Sequence, residues 1–329
     1  FVMTLPYSDA VFIQAFPREC TEAFQEGHKR AFEFFGGVPR RISYDNSRVA
    51  IRKIVSPRGR ELTREFLRLQ SHYLFQEHFC LVRRANEKGK VEGLVGFTRR
   101  NFLVPVPRVA SLQQLNEELA RRCDRDLDRT LRGKSGSKRE LLAEDRDALH
   151  PLPPQAFQAR RVTQRIACGL SLVRFDANRY SVPVAHAHRP ITIVATVDEV
   201  RLIDGDRLIA RHPRCWKRGE DVYDPVHYLA LLERKPGGFD HAQPLERWEL
   251  PDCFAELRRL IEADGLGTRE FIRVLRLLET FPLAELTAAV QYALDVGVID
   301  ASAIRVIVEH RREAPVALFS LEGRPHLRL

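Results

Sequence analysis

Apolar positions change their period along this chain, and each change predicts a different kind of element. Phe1-Val2-Met3-Thr4-Leu5 is a β-favouring run with no polar lead-in, so the chain opens in mid-strand. Without an initiator methionine, that opening predicts a segment N-terminal to residue 1. From Thr21 to Phe35, Ala23, Phe24, Ala31, Phe34 and Phe35 recur at helical spacing. Thr21 is placed to cap this helix and Gly36-Gly37 to stop it. Ile42-Ser43-Tyr44 then reads as a second short strand. Strand, helix, strand is a βαβ rhythm, which puts "ISYD" beside the first strand. Asp45 would then lie at a strand's carboxyl end, where open α/β sheets place their sites. A helix over 60–75, a short apolar strand "FCLV" (79–82) and a helix from about 88 to 100 follow. The last of these has Val91, Leu94, Val95 and Phe97 as its buried stripe.

Residues 109–130 are amphipathic and open on a Ser111/Gln114 capping box. "GKSGSK" (133–138) reads as a flexible, basic break and "HPLPPQ" (150–155) as extended chain, together a linker. Beyond it the period drops to two. "SLVRFD", "RYSVPV", "PITIVAT" and "EVRLIDGDRLIARH" are short alternating strands, the last a hairpin turning at Asp204-Gly205. Four or five such strands in succession predict a small barrel, with Tyr180 in its core. From about Pro251 the pattern is helical to near the end.

Composition narrows the partners. The 329 residues carry 53 Lys+Arg against 44 Asp+Glu, a net charge of +9. Such an excess suits a polyanionic partner, most often nucleic acid, and also fits a GC-rich genome that favours Arg codons. Six scattered cysteines with no C-x-x-C pair argue against disulfides and zinc, and fit a reducing cytoplasm. No apolar run is long enough to cross a bilayer. A Gly-rich phosphate loop and a G-x-S-x-G elbow are both missing, which counts against an ATPase or a hydrolase.

Two acids stand out. Asp45-Asn46 after an apolar strand is either a turn or a metal ligand at the mouth of a sheet, with Arg48 close behind. Glu92 is either a helix-dipole partner or a second ligand, set among Lys88, Lys90 and Arg99. The acids are 47 positions apart across strand–helix–strand sequence. Two-metal phosphoryl transfer needs carboxylates that converge on Mg²⁺ with cations nearby for the phosphate backbone. Elsewhere, Trp216 with Lys217-Arg218 in "CWKRGE" could stack on and grip DNA. His186 and His188 could chelate a metal or simply sit in a loop between strands.

At "EGHKRAFEFFGGVPRRISYDN", "EKGKVEG" and "DANRYSVP" the chain resembles the IstA-type transposases of insertion sequences, within the DDE transposase and retroviral-integrase superfamily. The resemblance runs from residue 1 to about 235. It implies an incomplete α/β ribonuclease H-like integrase core over 1–108 and a helix and linker over 109–160. A small SH3-like β-barrel that binds DNA over 161–235 and an α-helical C-terminal region over 236–329 would follow. By the same resemblance Asp45 is the second catalytic acid, Glu92 the third, and Arg99 a basic position used against DNA; Glu87 is a rival for Glu92. The family's first Asp belongs to an upstream strand, and Asp9 does not take its place. The resemblance also implies two Mg²⁺ ions, element-end and target DNA, a homo-oligomer and an IstB-like AAA+ ATPase helper. Cutting of 3′ ends and their joining to target DNA would be the intact activity, with this polypeptide inactive alone. The competing readings are a non-catalytic remnant that binds DNA or full-length transposase, and a general nuclease.

Overall fold

Strand β1 (Val2–Thr4) pairs antiparallel with β2 (Val11–Ile13), Met3 opposite Phe12. All three side chains of β2 are buried, so the alternation that flags a half-buried strand is missing from its sequence. Helix α1 (Thr21–Phe35) follows. Its N-cap is Cys20, in extended conformation, and not Thr21, which is already helical; no side chain caps this end. Its C-terminus ends as expected. Gly36 takes the left-handed conformation at φ +81° and its N–H closes on Phe32 O. Gly37 is needed for a different reason. A Cβ there would fall 2.7 Å from the Leu149 Cβ, where Val38 exchanges backbone hydrogen bonds with His150.

The structure, a computed structural model, describes residues 1–44, 49–54, 60–80, 96–97 and 100–312. Asp45, Arg48, Glu87, Lys88, Lys90, Glu92 and Arg99 lie outside them. Strand β3 (Arg41–Tyr44) does not pair with β1. After β4 (Ile51–Ile54), β5 (Arg60–Leu62) and α2 (Arg64–Tyr73), strand β6 (Gln76–Phe79) returns parallel to β3. The expected helix over 60–75 is therefore shorter. Its first residues form β5, which pairs antiparallel with β4, and Thr63 caps α2 by accepting the Phe66 N–H. The expected strand 79–82 begins earlier, at Gln76, because exposed polar residues occupy its first half. Of the helix expected from about 88 to 100, residues 96–97 and 100 are helical, and the helical state continues through 102.

Helix α3 (Leu112–Asp126) starts at Ser111, whose Oγ accepts the Gln114 N–H. The box is incomplete, because the Gln114 side chain takes the Ala110 N–H instead of that of Ser111. Helix α4 (Lys138–Ala148) has the full box, Ser137 with Glu140. This corrects the reading of 133–138 as a flexible basic break. Lys138 is 3% exposed and its Nζ lies 2.7 Å from Asp126 Oδ2 and 2.9 Å from Asp9 O. Leu119 and Cys123 of α3 join β2 in one apolar cluster, and Leu142 of α4 joins Phe12, Ala31 and Phe35 in another. Hydrophobic burial, worth about 1.5–3 kcal/mol for each large side chain, holds these helices to the rest of their unit.

By internal contacts the chain divides into Phe1–Thr163 with Thr192–Arg201, and Gln164–Ile191 with Leu202–Leu329. The expected barrel is seven strands in two sheets, not a closed barrel. Strands β7 (Arg161–Ile166), β10 (Pro190–Ala195), β11 (Glu199–Asp204) and β12 (Arg207–Pro213) form one sheet, in the order β12-β11-β10-β7. Strands β8 (Leu172–Phe175), β9 (Asn178–Ser181) and β13 (Asp221–Val222) form the other, in the order β13-β9-β8. The expected hairpin is there, with Gly205 at φ +63° directly after Asp204.

The helical C-terminal region holds α5 (Leu229–Arg234), α6 (Asp252–Ala263), α7 (Gly267–Arg276), α8 (Leu283–Asp295) and α9 (Ala301–Arg312). They share one apolar core that includes Leu257, Ile261, Ile272, Leu275, Val290 and Ile304. Among the described residues no helix is long and apolar enough to cross a membrane. All six cysteines are free.

Candidate functional site

Two places carry the chemistry that the residues suggest. The first is the carboxyl end of the β3–β6 pair. Tyr44 is in register with Phe79, and the Cys80 N–H donates to Tyr44 O at 3.0 Å. The chain therefore leaves for Asp45 and for the segment 81–95, which holds Glu92, from neighbouring strand ends. Parallel pairing alone delivers that neighbourhood.

Aromatic packing fixes the Tyr44 end. Its ring lies 5.3 Å from Phe66, 5.6 Å from Phe79 and 5.9 Å from Phe24, centroid to centroid. Its hydroxyl donates to His28 Nε2 at 3.0 Å, and His28 Nδ1 donates to Phe24 O at 2.7 Å. The carbonyl can only accept, so Nδ1 carries a proton, and in the neutral ring Nε2 is the acceptor for Tyr44. Burial drives the His28 pKa down to about 4 and pushes the Tyr44 phenol well above its ordinary value. No sequence pattern points to this pair; Tyr44 reads only as a β-former.

His28 has a measurable consequence. Its folded pKa lies below the unfolded value of about 6.5, so between these two values the unfolded state binds more protons and stability falls as pH falls. His227, with its pKa also brought down to about 4 by burial, adds the same effect. The loss should reach about 3 kcal/mol per histidine by pH 4 and be absent above pH 7. Urea unfolding across that range measures it, and His28→Gln should remove its share. An unchanged slope in that variant would show that His28 is not held neutral.

The second place is the loop 215–220, "CWKRGE". It is fastened by the motif "DANRYSVP", in which each polar side chain has a separate task. Asn178, 2% exposed, donates to Cys215 O at 3.0 Å and Lys217 O at 2.8 Å, and accepts the Glu220 N–H at 3.1 Å. The Tyr180 hydroxyl accepts the Cys215 N–H at 3.1 Å, and its ring is fully buried. Ser181 Oγ accepts the Asp224 N–H and sits 2.8 Å from His227 Nδ1. Asp176 binds Arg214, whose buried guanidinium lies between the Phe175 and Trp216 rings, 4.6 Å from each. Trp216 is half-buried, with Lys217 and Arg218 exposed beside it. An aromatic face and two cations on a pinned backbone can stack on a base and neutralise phosphates.

Asn178→Ala should strand three backbone groups and lower stability by about 1–3 kcal/mol. Amide exchange at Glu220 should quicken while β8 keeps its protection. If Glu220 exchanges as in the unaltered chain, the loop is held by something other than Asn178.

The two histidines of "HAH" do not come together as ligands. His186 Nδ1 lies 2.6 Å from Asp204 Oδ2, and Arg189 Nη1 reaches the same oxygen at 3.0 Å. Among the described residues no group of three or more His, Cys, Asp or Glu could hold a metal ion.

Comparisons with known proteins find transposases. A family model described as Mu transposase, C-terminal domain, matches residues 152–224. A transposase of Aminobacter aminovorans is 34% identical over 300 residues, covering 89% of this chain and 58% of that protein. A transposase for insertion sequences IS1326/IS1353 from Pseudomonas aeruginosa is 31% identical over 306 residues, with the same two shares. A transposase for insertion sequence element IS21, also from Pseudomonas aeruginosa, is 32% identical over 236 residues, 71% of this chain and 60% of that one. The chain thus spans somewhat under two thirds of the length of these relatives.

Proposed function

Since the chain belongs to the IstA-type insertion-sequence transposases, we propose that it contributes two of the three acids of a DDE site, Asp45 and Glu92, to DNA cutting and joining. The supporting observation is the parallel β3–β6 pair, which starts both acid-bearing segments from adjacent strand ends. Strands β1 and β2 correspond in this reading to the second and third strands of a ribonuclease H-like core. In this reading the first acid would precede them, and Asp9 does not take its place.

Each group has a separate task. Asp45 and Glu92 would hold Mg²⁺ through their carboxylate oxygens. Bound Mg²⁺ supplies positive charge to the phosphate and acidifies a ligated water or hydroxyl. Arg48, Lys88, Lys90 and Arg99 neutralise the DNA backbone near the scissile phosphate. Trp216, Lys217 and Arg218 hold DNA on the other unit. A homo-oligomer brings two element ends together, and an IstB-like AAA+ ATPase serves as helper.

The test is strand joining by the full reading frame, with labelled element ends, Mg²⁺ and target duplex. Cut 3′ ends covalently joined to target support the proposal. Hydrolysis without joining would make the protein a nuclease, and DNA binding with no chemistry would make it a remnant. The chain of residues 1–329, holding two acids of three, should bind DNA without nicking or joining it.

A further inference from the structure

The C-terminal helices carry a feature that neither acid nor the loop 215–220 accounts for. On α7, Arg269, Arg273 and Arg276 are spaced by four and three residues, so they form one stripe while Phe271, Ile272, Val274 and Leu275 fill the core behind them. The stripe lies in two adjoining grooves of about 500 and 230 Å³. Arg234, from the end of α5, lines one, and Arg305 of α9 lines the other. Their walls hold five arginines and only two carboxylates, Glu233 and Glu279.

Glu233 is the organising group. Its carboxylate takes Arg273 Nε at 3.0 Å and Arg276 Nη1 at 2.5 Å, and its backbone O takes Arg269 Nε at 3.2 Å. Arg273 Nη1 also donates to Glu270 Oε2 at 3.1 Å, and Arg276 donates through Nε and Nη2 to Glu279 at 2.8 and 3.1 Å. The three guanidinium groups are thus ordered before any ligand arrives, and the free positive charge of the groove rests on Arg234, Arg305 and the exposed N–H groups of Arg269. The side chains of Arg234 and Arg305, both exposed, have no hydrogen bond or ion pair among the described residues. Two ungated cations flank three oriented ones.

We infer that this α5–α7–α9 groove is a second docking surface for the phosphate backbone of duplex DNA, separate from the loop 215–220. The stripe is about 10 Å long at 1.5 Å per residue. That length spans about three phosphates of one strand, measured along the duplex axis. The walls offer few apolar anchors, only Leu277 and small residues such as Ala230 and Ala301, whereas protein partners are gripped by buried aromatic or aliphatic side chains. The choice of DNA as ligand rests on the transposase reading; the groove itself does not.

The experiment compares the chain with Arg234→Gln/Arg305→Gln and with Lys217→Gln/Arg218→Gln. Duplex DNA of unrelated sequence is titrated at several salt concentrations, with polyglutamate as a second probe. Neither Arg234 nor Arg305 has a structural partner to lose, so circular dichroism and melting should not change. The slope of log affinity against log salt should shrink by about 2 in the Arg pair, one contact's worth for each residue. An unchanged slope there, with a reduced one in the Lys217/Arg218 pair, overturns the groove and leaves the transposase reading standing. No DNA binding by the unaltered chain overturns both. Loss of polyglutamate binding with DNA binding intact assigns the groove to an acidic protein and overturns the inference.

Discussion

Replacing Asp126 with alanine is expected to cost about 3–5 kcal/mol of unfolding free energy, the range for removing one partner of a buried ion pair. The Asp126 and Lys138 side chains are 6% and 4% exposed, with Nζ and Oδ2 2.7 Å apart. Without the carboxylate, the Lys138 ammonium keeps the Asp9 carbonyl and the Phe97 ring, 5.8 Å from its Nζ, far less than water gives it. Arg129, 2.8 Å from the other Asp126 oxygen, loses its partner as well. The pair ties the end of α3 to the start of α4 and both to the turn between β1 and β2. Asp126→Leu combined with Lys138→Met should recover much of the loss, because no uncompensated charge is left inside. Trp216 and Trp248, the only tryptophans, belong to the other unit, so circular dichroism during urea unfolding is the suitable readout. A single-variant cost under about 1 kcal/mol would mean that water reaches Lys138.

That pair also shows where the sequence misleads. "GKSGSK" has the composition of an open loop, and Lys138 is one of its four lysines and serines, whose charges and hydroxyls suggest solvent. The contrary signal was present in Ser137 and Glu140, spaced as a capping box, but it competes with a stronger Gly/Ser impression. Helices with long apolar stripes were legible, including the four from Asp252 onward, because a 3.6-residue period survives without tertiary information; the six-residue α5 is too short to show one. β2 was not, since a fully buried three-residue strand has no period to read. Pairing partners were also beyond reach. Local pattern places "ISYD" in a strand, yet only the return of α2 and β6 decides that β3 lies beside β6. The loop 215–220 was found through Trp216 and its cations. Its fastening was not, because Asn178 lies 37 residues from Cys215 and acts through backbone atoms.

The largest effect expected on chemistry is at the two acids. In the full reading frame, Asp45→Asn and Glu92→Gln should each lower strand joining by a thousandfold or more, about 4 kcal/mol of transition-state stabilisation. Both changes keep side-chain size and remove only the negative charge, so packing around Tyr44 should be undisturbed and melting unchanged. DNA affinity should hold or rise slightly, because a carboxylate facing phosphate repels it. That split between binding and turnover is the diagnostic. A structural role at the strand end would lower stability and affinity together, and a turn role for Asp45-Asn46 would tolerate Asn at 45 with full activity, since Asn suits turns as well as Asp does. Glu92→Gln with normal joining would move the third-acid role to another carboxylate of the segment 81–95, and Glu87→Gln is then the variant that should be inactive.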